Sequence, residues 1–327
     1  MSSEAAAVNG AGVTPQEPVV GPRWFQWTVW AVLIFTVIVI VSGDVVQATS
    51  SGAGCGENWP RCDGALLPGL SDRATIVEFS HRMLTTVLSI GFIVMLIAAW
   101  RVYGTSHRVF KAAVWAGVFL VLEILIGAAL VVFGWVEDDA SIGRVVADAA
   151  HVVNTFLMVG ALTLTAFFAS GGPALPKRDS RRPLLVIGAF IIVAVGISGA
   201  INSLADTLAL TETVDLDSTP VAGILVAVRG IHPVLAIAGG LGVVMIVRSL
   251  APPPGTSSRL GIAVQAVVMT QFVVGIANIA LLTPMETQVI HLLLADALWI
   301  LYILYAASLL TATGPSVVAS SGERVER

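Results

Sequence analysis

The sequence is poor in charged residues and in cysteine. Only 12% of its 327 residues are Asp, Glu, Lys or Arg, whereas 56% are hydrophobic. This composition indicates a polytopic membrane protein, and the absence of a basic face gives no sign of a nucleic-acid partner. Two cysteines alone are too few for the thiolate clusters that zinc often takes.

Eight apolar runs are long enough to cross about 30 Å of hydrocarbon at about 1.5 Å per residue. We therefore predict an all-α polytopic membrane protein with eight transmembrane helices. The predicted spans are Trp24–Ser42, Val77–Trp100, Val109–Phe133, Val146–Phe168, Leu184–Ser203, Ile224–Val247, Leu260–Leu282 and Thr287–Leu310.

Basic residues are sorted by side, which predicts the orientation. With a cytoplasmic N-terminus, 12 of the 17 basic residues fall on the cytoplasmic side: Arg23, Arg101, Arg108, Lys111, Lys177, Arg178, Arg181, Arg182, Arg248, Arg259, Arg324 and Arg327. We therefore expect both termini in the cytoplasm. The N-terminal segment lacks a basic signal-peptide region, so the first run is expected to remain as a helix.

The sequence repeats itself. Glu123 and Gly127 in the third run match Gln271 and Gly275 in the seventh at the same offset, and the first and fifth runs both end in Ser-Gly. We predict two four-helix halves related as a parallel repeat, 24–170 and 184–312, joined by a cytoplasmic linker at 171–183. Residues 1–23 and 313–327 are predicted to be disordered cytoplasmic tails.

Four of the five histidines stand at the head of an apolar run, namely His81, His151, His232 and His291. All four runs begin outside, so the histidines are expected at one depth near the outer face. Two histidines facing each other in a four-helix bundle are typical of axial haem ligation. The alternative is that each histidine caps a helix or hydrogen-bonds locally. His107 lies in a polar turn and is left out of the site.

The residue three positions before each histidine differs between the halves. The first half has Glu78 and Asp148, whereas the second has Arg229 and Gln288. A carboxylate beside a bound macrocycle can move protons, whereas arginine suits a haem propionate. We therefore expect chemistry in the first half and a permanent cofactor in the second. A salt bridge to Arg82, one turn away, is the simpler account of Glu78.

The loop after the first run contains the only cysteines, Cys55 and Cys62. The predicted topology puts both outside the cytoplasm, where a disulfide can persist. A structural disulfide is the favoured interpretation. Metal ligation and a reactive thiol pair remain as alternatives.

The chain resembles the haem A synthases of the CtaA family, which take part in cytochrome oxidase assembly. Three features carry the resemblance, which covers all eight predicted helices. They are Glu78-Phe-Ser-His81-Arg82, the loop Cys55-Gly-Glu-Asn-Trp-Pro-Arg-Cys62, and the later histidines His151, His232 and His291. The charged residue Glu123, where the seventh helix has Gln271, is a departure whose effect on the substrate pocket the resemblance leaves open.

The resemblance implies oxidation of the C8 methyl group of haem O to a formyl group, giving haem A. It implies haem b between His232 and His291, substrate haem between His81 and His151, and a catalytic Glu78. Expected partners are haem O, a haem O synthase as a physical partner, an unknown electron acceptor and the lipid bilayer, with homo-oligomers also considered. The expected location is the plasma membrane. A b-type cytochrome relaying electrons and a small-molecule transporter are the competing interpretations.

Overall fold

The structure is a computed structural model that describes residues 20–69, 71–210, 221–250 and 254–312. These residues form eight α-helices and no strand. The helices are α1 (Arg23–Ala48), α2 (Arg73–Tyr103), α3 (Arg108–Val132), α4 (Ile142–Ala169), α5 (Arg182–Leu210), α6 (Ala222–Ser249), α7 (Thr256–Ala280) and α8 (Met285–Thr311).

Each helix coincides with a predicted apolar run and is long and apolar enough to cross a membrane. The prediction of an all-helical, polytopic membrane protein is therefore confirmed. Many large apolar side chains remain exposed along the helices. In a bilayer this apolar surface faces lipid. The backbone polar groups do not oppose this, because their hydrogen bonds are made within each helix.

The helices extend further than the apolar runs, because polar residues cap them beyond the apolar stretch. Asp72 accepts a hydrogen bond from the backbone N–H of Thr75 at 3.2 Å, so α2 begins four residues before the predicted Val77. Two expectations are corrected. The four histidines lie about two to three turns inside their helices, not at the heads. The helices α1 and α5 also continue past their Ser-Gly pairs.

Helices that follow one another in sequence pack as antiparallel neighbours: α1 with α2, α3 with α4, α5 with α6, and α7 with α8. The two halves meet where α4 packs on α5 and α8 and where α1 packs on α8. A large cluster of buried apolar side chains runs through both halves, and a smaller one joins Val145 of α4 to Leu204 of α5. The most buried membrane-spanning helix is α4, which lies at this central contact.

Aromatic side chains lock the central contact. Trp299 Nε1 on α8 donates a hydrogen bond to the backbone oxygen of Phe156 on α4 at 2.7 Å, and the two rings meet edge to face at 5.1 Å. The Phe156 ring lies over Gly196 of α5, where a Cβ would approach it to 2.4 Å. The glycine is thus required for the close approach of α4 and α5.

The predicted division into two halves is still a prediction, although the helix ends agree with its linker. α4 ends at Ala169 and α5 begins at Arg182. Most of the predicted N-terminal tail and all of the predicted C-terminal tail lie outside the described residues.

Candidate functional site

His81 on α2 is held by a serine on the neighbouring helix α1. Ser42 Oγ donates its single proton to the Val39 carbonyl at 2.7 Å and lies 2.7 Å from His81 Nδ1. Because the hydroxyl proton is already used in that bond, we assign the ring proton to Nδ1 as the donor to Ser42 Oγ. The neutral His81 ring is therefore left with an unprotonated Nε2, the form that ligates a metal.

The second half repeats this arrangement at His232 on α6. Ser198 Oγ donates to the Val195 carbonyl at 2.8 Å and lies 3.0 Å from His232 Nδ1. By the same argument we assign the His232 ring proton to Nδ1, which leaves Nε2 unprotonated. No described residue forms a hydrogen bond with Nε2 of either His81 or His232.

Glycine follows both serines and makes room for the imidazoles. A Cβ on Gly43 would lie 3.2 Å from His81 Cε1, and a Cβ on Gly199 would lie 3.1 Å from His232 Cε1. Each ring therefore rests against the backbone of the helix that carries its serine. The serine of each Ser-Gly pair contacts a histidine, the glycine leaves room for the imidazole, and the helix continues past the pair.

The remaining two histidines are held differently from the first two. His151 interacts electrostatically with His81, and His291 interacts with His232. His151 Nε2 lies 3.0 Å from the Glu123 carboxylate on α3. His291 Nδ1, in contrast, is buried without a hydrogen-bond partner among the described residues, as is Gln271 Oε1 on α7.

Glu78 lies beneath the cysteine loop and joins it to α2. Its side chain accepts a hydrogen bond from the backbone N–H of Cys55 at 2.7 Å and another from Arg82. Arg82 also donates to the backbone oxygens of Asn58 and Arg61, at 2.8 Å and 2.9 Å. The salt bridge weighed for Glu78 is therefore present, and Glu78 is 3% exposed.

The loop itself is closed by its cysteines. Cys55 and Cys62 lie with their sulfurs at disulfide distance and their Cα atoms 4.4 Å apart, and both are buried. Thr75 Oγ1 on α2 donates to the Gly54 carbonyl at 2.6 Å. The loop is thus fixed to the first turns of α2, directly above Glu78.

The other predicted site residues have protein partners. Arg144 lies 3.9 Å from Asp148, and Arg229 Nε lies 2.8 Å from Asp206. Gln288 Nε2 donates to the Thr283 carbonyl at 2.7 Å. The Arg229 side chain is 47% exposed and remains accessible to a further anion.

His107 lies apart from these groups and caps α3. Its Nδ1 accepts a hydrogen bond from the backbone N–H of Val109 at 3.2 Å, and its ring stacks on Tyr103. Burial and the nearby Arg108 lower the pKa of His107. This histidine is a helix cap, in agreement with its omission from the site.

The sequence that forms this site also matches the profile of a known protein family. The profile of the COX15-CtaA family, described as a cytochrome oxidase assembly protein, matches residues 26–303. The chain belongs to this family.

Several proteins of known name are similar to this CtaA-family chain. A Protoheme IX farnesyltransferase of Thermus thermophilus is 36% identical over 318 residues, 94% of this chain and 52% of its own. The Heme A synthases of Lysinibacillus sphaericus and Geobacillus thermodenitrificans are each 38% identical over 112 residues, 34% of this chain. These matches cover 36% and 34% of the two synthases. The chain thus aligns with about half of the Thermus relative.

Sequence reasoning missed the partners that hold the histidines of this family member. The repeated Ser-Gly pairs were visible as a repeat signal, but nothing in the spacing indicated that they receive His81 and His232. In the sequence, Glu123 is a charged residue within an apolar run, and no partner for it is apparent there. Only the packing of α3 against α4 brings it to His151.

Proposed function

We propose that the chain is a haem A synthase, which oxidises the C8 methyl group of haem O to a formyl group. The observation that carries the proposal is the pair of equivalent histidines, His81 and His232. Each has its Nδ1 within hydrogen-bond distance of a serine hydroxyl and no described hydrogen bond at Nε2, an arrangement that suits a metal-ligating histidine.

The residues present fit a haem in each half. Gly43 and Gly199 leave space for the imidazoles beside a helix backbone, and His151 and His291 are near enough to interact electrostatically with His81 and His232, respectively. In the second half the buried Nδ1 of His291 is a polar atom that the described part of the protein leaves unsatisfied. A bound haem would supply the redox chemistry, and these histidines are the residues that would hold it.

We assign the resident haem b to His232 and His291, and substrate haem to His81 and His151. The reason is the asymmetry around them. A buried carboxylate, Glu78, stands one turn from His81, whereas the corresponding residue near His232 is Arg229. Arg229 is half exposed, so it can hold Asp206 and contact a haem propionate as well.

Glu78 is the proposed proton-transfer group. Conversion of a methyl group to a formyl group adds an oxygen atom, passes electrons to an external acceptor and releases protons, so a carboxylate near the substrate serves as a base for those protons. Cys55 N–H and Arg82 fix this carboxylate in place. The loop above it, closed by a disulfide between Cys55 and Cys62, excludes water from the outer side in this proposal.

The substrate site also has an apolar neighbour that suits a lipophilic haem. A cavity of about 460 Å³ lies between α3 and α4, with Trp135 at one end. Its lining includes Ala147 and Ala150, which are close in sequence to Asp148 and His151. We propose that this apolar pocket is where a lipophilic substrate approaches the first half from the membrane.

The names of the relatives support the same pathway. Two are called Heme A synthase, and the Thermus chain called Protoheme IX farnesyltransferase has nearly half its length outside the match. A farnesyltransferase that makes haem O is therefore the proposed physical partner. We place the protein in the plasma membrane, with its haem sites near the outer face.

Purified full-length protein tests the proposal through its pigments. We expect bound haem b together with haem O or haem A, and loss of haem b in His232→Ala and His291→Ala. In contrast, His81→Ala and His151→Ala should lose haem A formation and keep haem b. A protein that contains haem b and never forms haem A would be an electron relay. One without any haem would favour transport.

A further inference from the structure

Glu123 contacts His151 at Nε2, whereas the serine partners of His81 and His232 lie at Nδ1. The carboxylate lies 3.0 Å from His151 Nε2. Nε2 is also one of the two ring nitrogens through which a neutral histidine ligates a metal. Binding to Glu123 and binding to iron through this nitrogen are therefore mutually exclusive.

Glu123 is itself fixed independently of His151. Asn154 Nδ2 donates to its carboxylate at 2.5 Å and to the Phe119 carbonyl at 2.8 Å. The Thr155 hydroxyl also contacts the carboxylate. If His151 leaves, Glu123 keeps two hydrogen bonds, so the exchange does not strand a buried charge without partners.

The second half lacks each part of this arrangement. Gln271 occupies the position of Glu123, and its Oε1 is buried without a hydrogen-bond partner among the described residues. Leu294 and Ala295 stand where the first half has Asn154 and Thr155. Within the described part of the chain, nothing comparable holds His291 away from a metal, which agrees with a permanently ligated haem in that half.

We infer that Glu123 is a positioning residue that retains His151 by Nε2, which makes His151 the substrate-haem ligand that releases the iron. His81 would then be the histidine of the first half that holds the substrate haem. The inference rests on the proposed function, because it takes the substrate haem to lie between His81 and His151. It also assigns a role to a charge that has no counterpart at the matching position of the second half.

The spin state of ferric haem measures this release directly, because a histidine on both sides gives low-spin iron and one histidine gives high-spin iron. Full-length protein is reconstituted with added protohaem and examined by electron paramagnetic resonance. We expect a high-spin component in the unmodified protein. Glu123→Gln keeps the size but removes the charge, and it should lower the high-spin to low-spin ratio by about 10- to 100-fold, as expected for a lost charged hydrogen bond.

Two further variants identify the ligand. Adding His151→Ala to Glu123→Gln should restore the high-spin component, because the released position then has no histidine to fill it. Gln271→Ala, the matched change in the second half, should leave the spectrum unchanged. An equal spin-state ratio in the unmodified protein and in Glu123→Gln overturns the inference, as does failure of the first half to bind protohaem.

Haem A formation is scored separately in the same variants. If haem A forms while the spin-state difference is missing, the inference fails and the proposed function stands. If the spin-state difference is present and no haem A forms with haem O, the proposed function fails and the role of Glu123 in holding His151 stands.

Discussion

Replacement of Glu78 by glutamine separates a catalytic carboxylate from a structural one. The side chain is 3% exposed and holds two groups, the Cys55 N–H at 2.7 Å and Arg82. Glutamine keeps an oxygen for Cys55 and loses the charge opposite Arg82. Arg82 retains two backbone acceptors, at Asn58 and Arg61, so it is not left without partners.

The expected structural cost of Glu78→Gln is therefore at the low end for a charged hydrogen bond, about 1.5 kcal/mol. Such a loss leaves most of the protein folded when total stability is about 5–15 kcal/mol. Loss of a general base instead lowers turnover by about 100- to 10,000-fold. Loss of folded protein would therefore lower haem A formation only slightly, whereas loss of a general base would lower it by orders of magnitude.

The assay compares haem A formed per molecule of resident haem b, together with thermal unfolding. Arg82→Gln is the matched control, because it breaks the same ion pair and removes two further contacts to the loop. We expect Glu78→Gln to retain haem b and lose nearly all haem A formation, and Arg82→Gln to lose less. Equal loss in both variants would refute the proton-transfer role and leave Glu78 as a structural link to the loop.

Three other predictions concern the resident haem, the orientation and the loop. Ser198→Ala removes the acceptor of the His232 Nδ1 proton at 3.0 Å, so haem b affinity should fall by about 10- to 100-fold in a haem titration; unchanged affinity would contradict the tautomer assignment. A reporter fused after Arg327 should be cytoplasmic and one near Asp215 external, both positions lying outside the described residues; the reverse would overturn the outer-face placement. In denatured, unreduced protein Cys55 and Cys62 should resist alkylation and react after reduction, whereas free thiols would react at once.

Several features followed from the sequence because they depend on neighbours along one helix. The eight spans follow from the length of apolar runs, and all eight helices lie where those runs predicted them. The Glu78–Arg82 ion pair follows from its spacing of one helical turn. The likeness of His81 and His232 agrees with the repeated motifs, and all four histidines lie inside their helices because the helices begin before the apolar runs.

Other features depended on how helices pack, which apolar content alone leaves open. An apolar run fixes that a helix crosses the membrane, but its rotation about its own axis is decided by contacts with neighbouring helices. That rotation brings Ser42 to Nδ1 of His81 and Glu123 to Nε2 of His151. The sequence shows which helix carries each histidine. Which nitrogen each offers to a ligand was decided by the tertiary structure, because the two nitrogens differ only in what a second helix places beside them.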